Sequence, residues 1–156
     1  MSGEFCIDSN CLMTYWKDFP RSEYPNLWEQ LGHHAGKIVL LNIIKGEIKG
    51  RKKLHDYIKN KKFIIDKLTP EAKQPLLQWE NIYEPDMDKS GCGEKDLRLI
   101  AYAKHHRLTV VTEEKVQDEN PSRKERNYNI PSVCRKENVK CINFNDLLEK
   151  LGIKIE

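Results

Sequence analysis

Short apolar runs alternate along this chain with longer stretches in which apolar residues recur every three or four positions. Four runs have the length and apolar content of buried strands: FCI (5–7), KIVLLNII (37–44), LTVVT (108–112) and KCINF (140–144). Helical spacing appears between them and after them: at 25–31, 71–83, 96–106 and 145–152. Strands that alternate with helices predict a central parallel sheet covered on both faces, which is a three-layer α/β/α sandwich.

The middle of the chain gives weaker patterns. Residues 45–61 are predicted as a helix, although two glycines interrupt its first half. Residues 63–65 are apolar but too short to assign to a helix or a strand. Residues 71–83 are predicted as one helix that Pro75 can kink, because proline removes a backbone hydrogen-bond donor.

The second half of the chain is punctuated more clearly. Glycines make 87–95 a loop, and Asp96 stands at the start of the helix that follows. Residues 115–129 are polar without periodicity, which predicts an exposed loop. A short helix is predicted within 130–139, and Asn145 is a good N-cap for the closing helix.

One domain is expected over residues 1–156, since no repeat or linker divides the chain. No apolar stretch approaches the roughly 20 residues that span a bilayer, and no signal-peptide pattern opens the sequence. The five cysteines include no CxxC pair and no zinc spacing. The prediction is a cytoplasmic protein without a membrane partner, whose cysteines are reduced and mostly small core residues.

Positive charge is concentrated in one segment. The formal net charge of +3 does not by itself indicate nucleic-acid binding. In KGEIKGRKKLHDYIKNKK (45–62), however, eight cations stand against only Glu47 and Asp56. Two interpretations remain open, a solvated helix face and a surface that contacts phosphates.

Acidic residues stand at the ends of several predicted elements. Asp8 follows the first strand, and Glu113 and Glu114 follow LTVVT. Asp96 begins a helix, and Glu47 lies early in the helix after KIVLLN. Because ligands of parallel α/β sheets bind beyond the carboxyl ends of the strands, these acids are expected to meet at one edge.

Each acid also has an ordinary structural interpretation. Asp8 and Asp96 suit helix N-caps, and Glu47 can form an ion pair within its own helix. Glu113 and Glu114 can be loop residues. Acids at four matching ends of elements, with Glu113 and Glu114 adjacent at one of them, nevertheless favour a shared site.

Clustered carboxylates point to a particular chemistry. They raise one another's pKa unless a cation neutralises them, and hard oxygen ligands without Cys or His select Mg²⁺ or Mn²⁺. Such a site activates water for in-line displacement at phosphorus. The sequence has no GxGxxG, GxxxxGK[ST], HExxH or GxSxG, so it gives no sign of the corresponding enzyme classes.

Two segments resemble the PIN domain, a metal-dependent nuclease fold found in many bacterial toxins. FCIDSNCLM (5–13) is similar to its opening strand, in which apolar residues precede D-[ST]-N and a hydrophobic pair. KDLRLIAYAKHHRLTVVTEE (95–114) is similar to a later block, in which an Asp begins a helix and a strand ends in Thr plus acids. The chain most resembles an uncharacterised bacterial PIN-like group, which also closes in a form similar to residues 130–152. The resemblance implies a PIN-like, Rossmann-like fold.

The resemblance also implies residue roles. The catalytic, metal-binding acids are Asp8, Glu47, Asp96 and Glu114. Glu113 is the alternative fourth acid and a further metal ligand, while Asn10 and Thr112 match the supporting polar residues. Two features depart from the superfamily: the last acid is Glu where Asp is usual, and a charged loop occupies 115–129.

The predicted function is a Mg²⁺- or Mn²⁺-dependent ribonuclease whose RNA backbone is held by Lys49, Arg51, Lys52 and Lys53. The resemblance further implies the toxin of a toxin–antitoxin pair, a homodimer restrained by an antitoxin protein. Two alternatives remain open. One is a catalytically inactive PIN-fold module that binds nucleic acid or a partner, and the other is a DNA nuclease or phosphatase that uses the same acids.

Overall fold

The computed structural model describes residues 3–42, 48, 51–84 and 91–155. Within these residues, five parallel strands form one sheet in the order β3-β2-β1-β4-β5. Their bounds are β1 Phe5–Ile7, β2 Ile38–Leu41, β3 Ile64–Asp66, β4 Thr109–Val111 and β5 Cys141–Ile142. The predicted parallel sheet is therefore confirmed, and the ambiguous segment 63–65 contributes to its edge strand.

Helices connect successive strands and complete a three-layer α/β/α sandwich. They are α1 Ser9–Asp18, α2 Pro25–His33, α3 Lys52–Asn60, α4 Pro70–Lys73, α5 Leu76–Tyr83, α6 Glu94–His106, α7 Ile130–Lys136 and α8 Phe144–Leu151. Two 3₁₀ turns, Ala35–Lys37 and Glu125–Asn127, lie between them. Since crossovers between parallel strands are almost always right-handed, the helices that precede β3 and those that lie between β3 and β5 cover opposite faces.

The chain order reverses between the two central strands. From β1 the chain moves outward to β2 and β3, and it then returns across the sheet to β4 and β5. Ile7 pairs with Val111, so β1 and β4 end at the same level. This reversal is the topological switch point, where open α/β sheets have their binding crevice.

The core is apolar and continuous with the sheet. Strands β1 and β2 are fully buried, as is expected for parallel strands that are covered on both faces. The largest enclosed side chains include Trp28, Tyr57, Tyr102 and Phe144. All five cysteines are free thiols and four of them are buried, which confirms their prediction as small core residues. In the described part of the chain, no helix combines the length and apolar character needed to cross a membrane.

Two predicted helices are corrected by the structure. The single helix predicted at 71–83 is two helices, α4 and α5, because Pro75 has no N–H to continue the first one. Of the residues predicted as one helix at 45–61, the structure shows a helix, α3, over Lys52–Asn60, and Ile48 lies in a turn before it. Residues 43–47, 49 and 50 lie outside the described residues.

Two predicted helix starts are also wrong. The closing helix is capped by Asn143, whose side chain accepts a hydrogen bond from the Asp146 N–H at 2.8 Å, rather than by Asn145. Phe144 is buried as its first residue, so the strand ends at Ile142. Helix α6 begins at Glu94, which places Asp96 in its first turn rather than at its boundary.

Candidate active site

Asp8 is fixed at the carboxyl end of β1 by its neighbours on both sides. Its N–H donates to the carbonyl of Val111 at 2.9 Å, which extends the β1–β4 pairing by one step. Its carboxylate oxygen Oδ1 accepts from the Asn10 N–H at 3.3 Å, so Asp8 is the N-cap of α1. Asp8 is 6% exposed. The structural interpretation of Asp8 as a cap is therefore confirmed, and the cap lies at the switch point.

Thr112 joins the ends of the two central strands. Its hydroxyl donates to Asp8 Oδ2 at 3.0 Å, and Thr112 Oγ1 itself accepts from the Glu114 N–H at 3.2 Å. Thr112 is buried. A buried hydroxyl that donates to a carboxylate fixes its orientation, because an unpaired polar group would be costly there. Thr112 thus positions Asp8, and its supporting role in a metal site stays a prediction.

Asp96 approaches the same place from α6. This helix leads into β4, so its first turn lies at the carboxyl edge of the sheet. Asp96 Oδ2 accepts from the Gly93 N–H at 3.4 Å, and its carboxylate favours the positive end of the helix dipole. A cavity of about 370 Å³, here called the acidic cavity, is lined by Asp8, Ser9, Asn10, Gly93, Glu94, Lys95, Asp96 and Leu99. Two of the predicted acids therefore meet in one cavity.

The two glutamates after β4 contact helix starts instead. Glu113 Oε1 accepts from the N–H of Phe144, and Glu114 Oε1 accepts from the N–H of Ile130, each at 2.9 Å. These are the first residues of α8 and α7, whose positive ends stabilise a carboxylate. Both glutamates line a second cavity, of about 420 Å³, together with Thr112. Thr112 thus connects the acidic cavity to this second one through its hydrogen bond to Asp8.

Two buried thiols have pKa values raised by burial and by the nearby acids. Burial raises the pKa of the Cys92 thiol well above its ordinary value, and the negative charges of Asp96, Glu114 and Asp8 raise it further. Burial likewise raises the pKa of Cys11, with further contributions from Glu113 and Asp8. The charge of Asp8 contributes to the raised pKa of both thiols.

Two residues of the acidic cavity were missed by the sequence interpretation. Lys95 lies between two acids in the first turn of α6 and lines the cavity. Glu94 lines it too, but its carboxylate pairs with Arg98 at 2.9 Å, four residues along the helix. The only signal in the sequence was the position of both beside Asp96, which does not reveal which side chains face the cavity.

The donor set suits a hard divalent cation that keeps part of its water. Within the described residues, no three His, Cys, Asp or Glu side chains form a group able to hold a metal ion. Mg²⁺ commonly needs fewer protein ligands, one or two carboxylates, because it retains several waters. Asp8 and Asp96 supply this minimum. The predicted ligand Glu47 lies outside the described residues.

Cations flank the carboxyl edge on the side of α3. Arg51, Lys52 and Lys53 are exposed at or within the first turn of this helix, where the helix dipole disfavours positive charge. The Arg51 guanidinium contacts Met13 of α1, with 3.2 Å from Nε to Sδ. Lys49, which is also predicted to contact the RNA backbone, lies outside the described residues.

Comparison with known proteins gives the family. A family model described as "Domain of unknown function (DUF4411)" matches residues 5–155, and the chain belongs to this family. A search of curated proteins gives no match. The match covers every described strand and helix, including both segments that form the acidic cavity.

Proposed function

We propose that the protein is a metal-dependent ribonuclease with Asp8 and Asp96 at its centre. The observation that carries this proposal is the position of the two carboxylates. They come from segments almost ninety residues apart and line one cavity at the switch point of the sheet. Their hard oxygen chemistry is that of Mg²⁺ or Mn²⁺ sites, and the exposed Lys95 in the lining of the acidic cavity carries a positive charge suited to phosphates.

Each of these residues has a separate role in the proposed reaction. Asp8 and Asp96 hold the cation, which supplies the activation of water and the neutralisation of charge that phosphodiester hydrolysis needs. Thr112 keeps the Asp8 carboxylate in one orientation. Lys95 adds a positive charge to the cavity wall, where it stabilises negative charge that develops on a phosphate. At the start of α3, Arg51 and Lys52 hold the phosphate backbone of the RNA.

The wider role belongs to the same proposal. It is that of a cytoplasmic toxin in a toxin–antitoxin pair, acting as a homodimer and restrained by an antitoxin protein, as the resemblance to PIN domains implies. A nuclease with this role needs a partner that blocks its acidic cavity. The proposal therefore includes an antitoxin that lowers cleavage when it is bound.

Cleavage of defined substrates tests the proposed activity. We expect the purified protein to cleave single-stranded RNA in Mn²⁺ or Mg²⁺ and to stop when the metal is chelated, because two carboxylates alone do not activate water. The panel contains single-stranded RNA, branched DNA and a phosphomonoester. Preferential cleavage of branched DNA or the monoester would replace the ribonuclease assignment by the related nuclease or phosphatase.

A second candidate is an inactive module that binds nucleic acid or a protein partner. The observation that favours it is the engagement of Glu113 and Glu114 with the starts of α8 and α7, which gives both carboxylates a structural role. This candidate predicts RNA binding without cleavage in any divalent metal. It also predicts that Asp8→Asn and Asp96→Asn leave the affinity for RNA unchanged.

A further inference from the structure

A separate cavity of about 560 Å³, here called the aromatic cavity, lies between α1, α3 and the start of α2. Its volume is in the range of small-ligand pockets. The residues that define its chemistry are Trp16, Pro20, Arg21, Lys53, Asp56 and Tyr57. None of them belongs to the acidic cavity.

The walls of the aromatic cavity combine flat apolar surface with positive charge. Trp16 is partly exposed, and the rings of Trp28 and Tyr57 pack against it at centroid distances of 4.8 and 5.3 Å. The Arg21 guanidinium lies 5.2 Å from the centroid of the Tyr57 ring. An indole held by two neighbouring rings and partly exposed in a cavity offers a surface on which a planar base can stack.

Charge selects the occupant. Arg21 and Lys53 stand against Asp56, so the lining carries one excess positive charge, and outside the lining Arg21 pairs with Glu29 at 3.9 Å. Lys53 lies in the first turn of α3, where the helix dipole opposes a cation and favours an anion. A planar group joined to a phosphate satisfies both features, and a nucleotide of single-stranded nucleic acid has this composition.

The aromatic cavity and the acidic cavity are both lined by residues of α1 or its cap. Asp8 caps this helix and Trp16 lies eight residues on, which is about 12 Å at the helical rise. Between them, Met13 contacts Arg51 from the neighbouring helix. An extended strand that leaves the acidic cavity along α1 therefore passes Arg51 before it reaches Lys53 and Trp16.

We infer that the aromatic cavity is a nucleotide-binding subsite for single-stranded RNA, with a base stacked on Trp16 and its phosphate at Lys53 and Arg21. The inference rests on the proposed function for the identity of the strand as a substrate. It adds a contact outside the acidic cavity that holds the RNA by shape and charge, without reading a particular base.

Tryptophan fluorescence in EDTA tests this subsite without cleavage. Of the three tryptophans, Trp28 and Trp79 are buried and Trp16 is partly exposed, so a stacked base quenches Trp16. We expect a short single-stranded RNA to quench the fluorescence of the protein. In Trp16→Phe the quenching is lost and binding, followed by RNA anisotropy, is largely kept, whereas Trp16→Leu raises the Kd roughly tenfold.

Two lysines of α3 provide a matched charge comparison. Lys53 and Lys59 are both exposed, but only Lys53 lines the aromatic cavity. We expect Lys53→Glu to raise the Kd roughly tenfold and Lys59→Glu to change it less than about twofold. Equal effects of the two substitutions would overturn the subsite in favour of diffuse attraction. Circular dichroism confirms that each variant is folded.

The other outcomes separate this inference from the proposed function. Saturating RNA without quenching overturns the subsite, even where the wild type cleaves RNA in Mn²⁺. Quenching and Lys53 dependence without cleavage in Mn²⁺ support the subsite and overturn the ribonuclease. A hexaglutamate peptide that quenches Trp16 where RNA does not would overturn the subsite and assign the cavity to an acidic protein segment.

Discussion

Asp8→Asn is expected to lower the rate of RNA cleavage at least about 100-fold. Asparagine keeps the shape of the side chain and one oxygen acceptor for the Asn10 N–H, but it removes the charge that binds the cation. Asp96→Asn is expected to have an effect of the same size, because the two carboxylates line one cavity. The measurement is the initial rate of cleavage of a labelled single-stranded RNA in Mn²⁺.

Glu94→Gln is the matched control for this loss. Glu94 lines the same cavity and the substitution removes the same charge, but its carboxylate pairs with Arg98. We expect its rate to stay within about threefold of the wild type, since exposed pairs of this kind contribute little. A loss as large as that of Asp8→Asn would show that the rate depends on the overall charge of the cavity rather than on two ligands.

The same assay assigns the two glutamates after β4. Glu114→Gln keeps an oxygen acceptor for the Ile130 N–H and removes the charge, so it preserves the contact with α7. Glu113→Gln does the same for the Phe144 N–H. The variant that loses activity while its thermal stability is unchanged identifies the fourth acid.

Trp28→Ala is expected to lower the free energy of unfolding by about 3–5 kcal/mol. Trp28 is 0% exposed, and its indole Nε1 donates to the carbonyl of Phe19 at 2.7 Å. Alanine leaves a cavity and removes the donor of that hydrogen bond, and both changes destabilise the folded state. Urea unfolding followed by circular dichroism measures the change, with equal slopes required for the two proteins.

Leu77→Ala is the control for Trp28→Ala, because it truncates a large apolar side chain that is not buried. Leu77 is 77% exposed on α5, so its truncation should change the free energy of unfolding by less than about 0.5 kcal/mol. A similar small change in Trp28→Ala would contradict the packing of α2 against the aromatic side chains of α1 and α3.

The fold was predictable where the pattern was local. The apolar runs before Asp8 and Thr112 predicted the two central strands, because buried parallel strands have few polar residues. The helix that contains Asp96 was predictable from its apolar spacing. From these elements, the rule that sites lie at the carboxyl edge predicted that Asp8 and Asp96 share a cavity.

The remaining features depend on contacts between distant segments. Glu113 and Glu114 bind the starts of helices 31 and 16 residues further on, which spacing within a sequence does not reveal. Asn143 rather than Asn145 is the cap because Phe144 packs into the core as the first residue of the helix. The aromatic cavity likewise forms only because α1 and α3 lie side by side. Its residues on these two helices are separated by more than thirty positions in the sequence.

Calorimetric titration with Mn²⁺ tests the central claim most directly, because it measures the metal site without a substrate. The two proteins to compare are the wild type and the double variant Asp8→Ala/Asp96→Ala, with circular dichroism to confirm that both are folded. We expect the wild type to bind Mn²⁺ and the double variant to lose this binding. A folded wild type that binds no Mn²⁺ at millimolar concentrations would contradict this expectation.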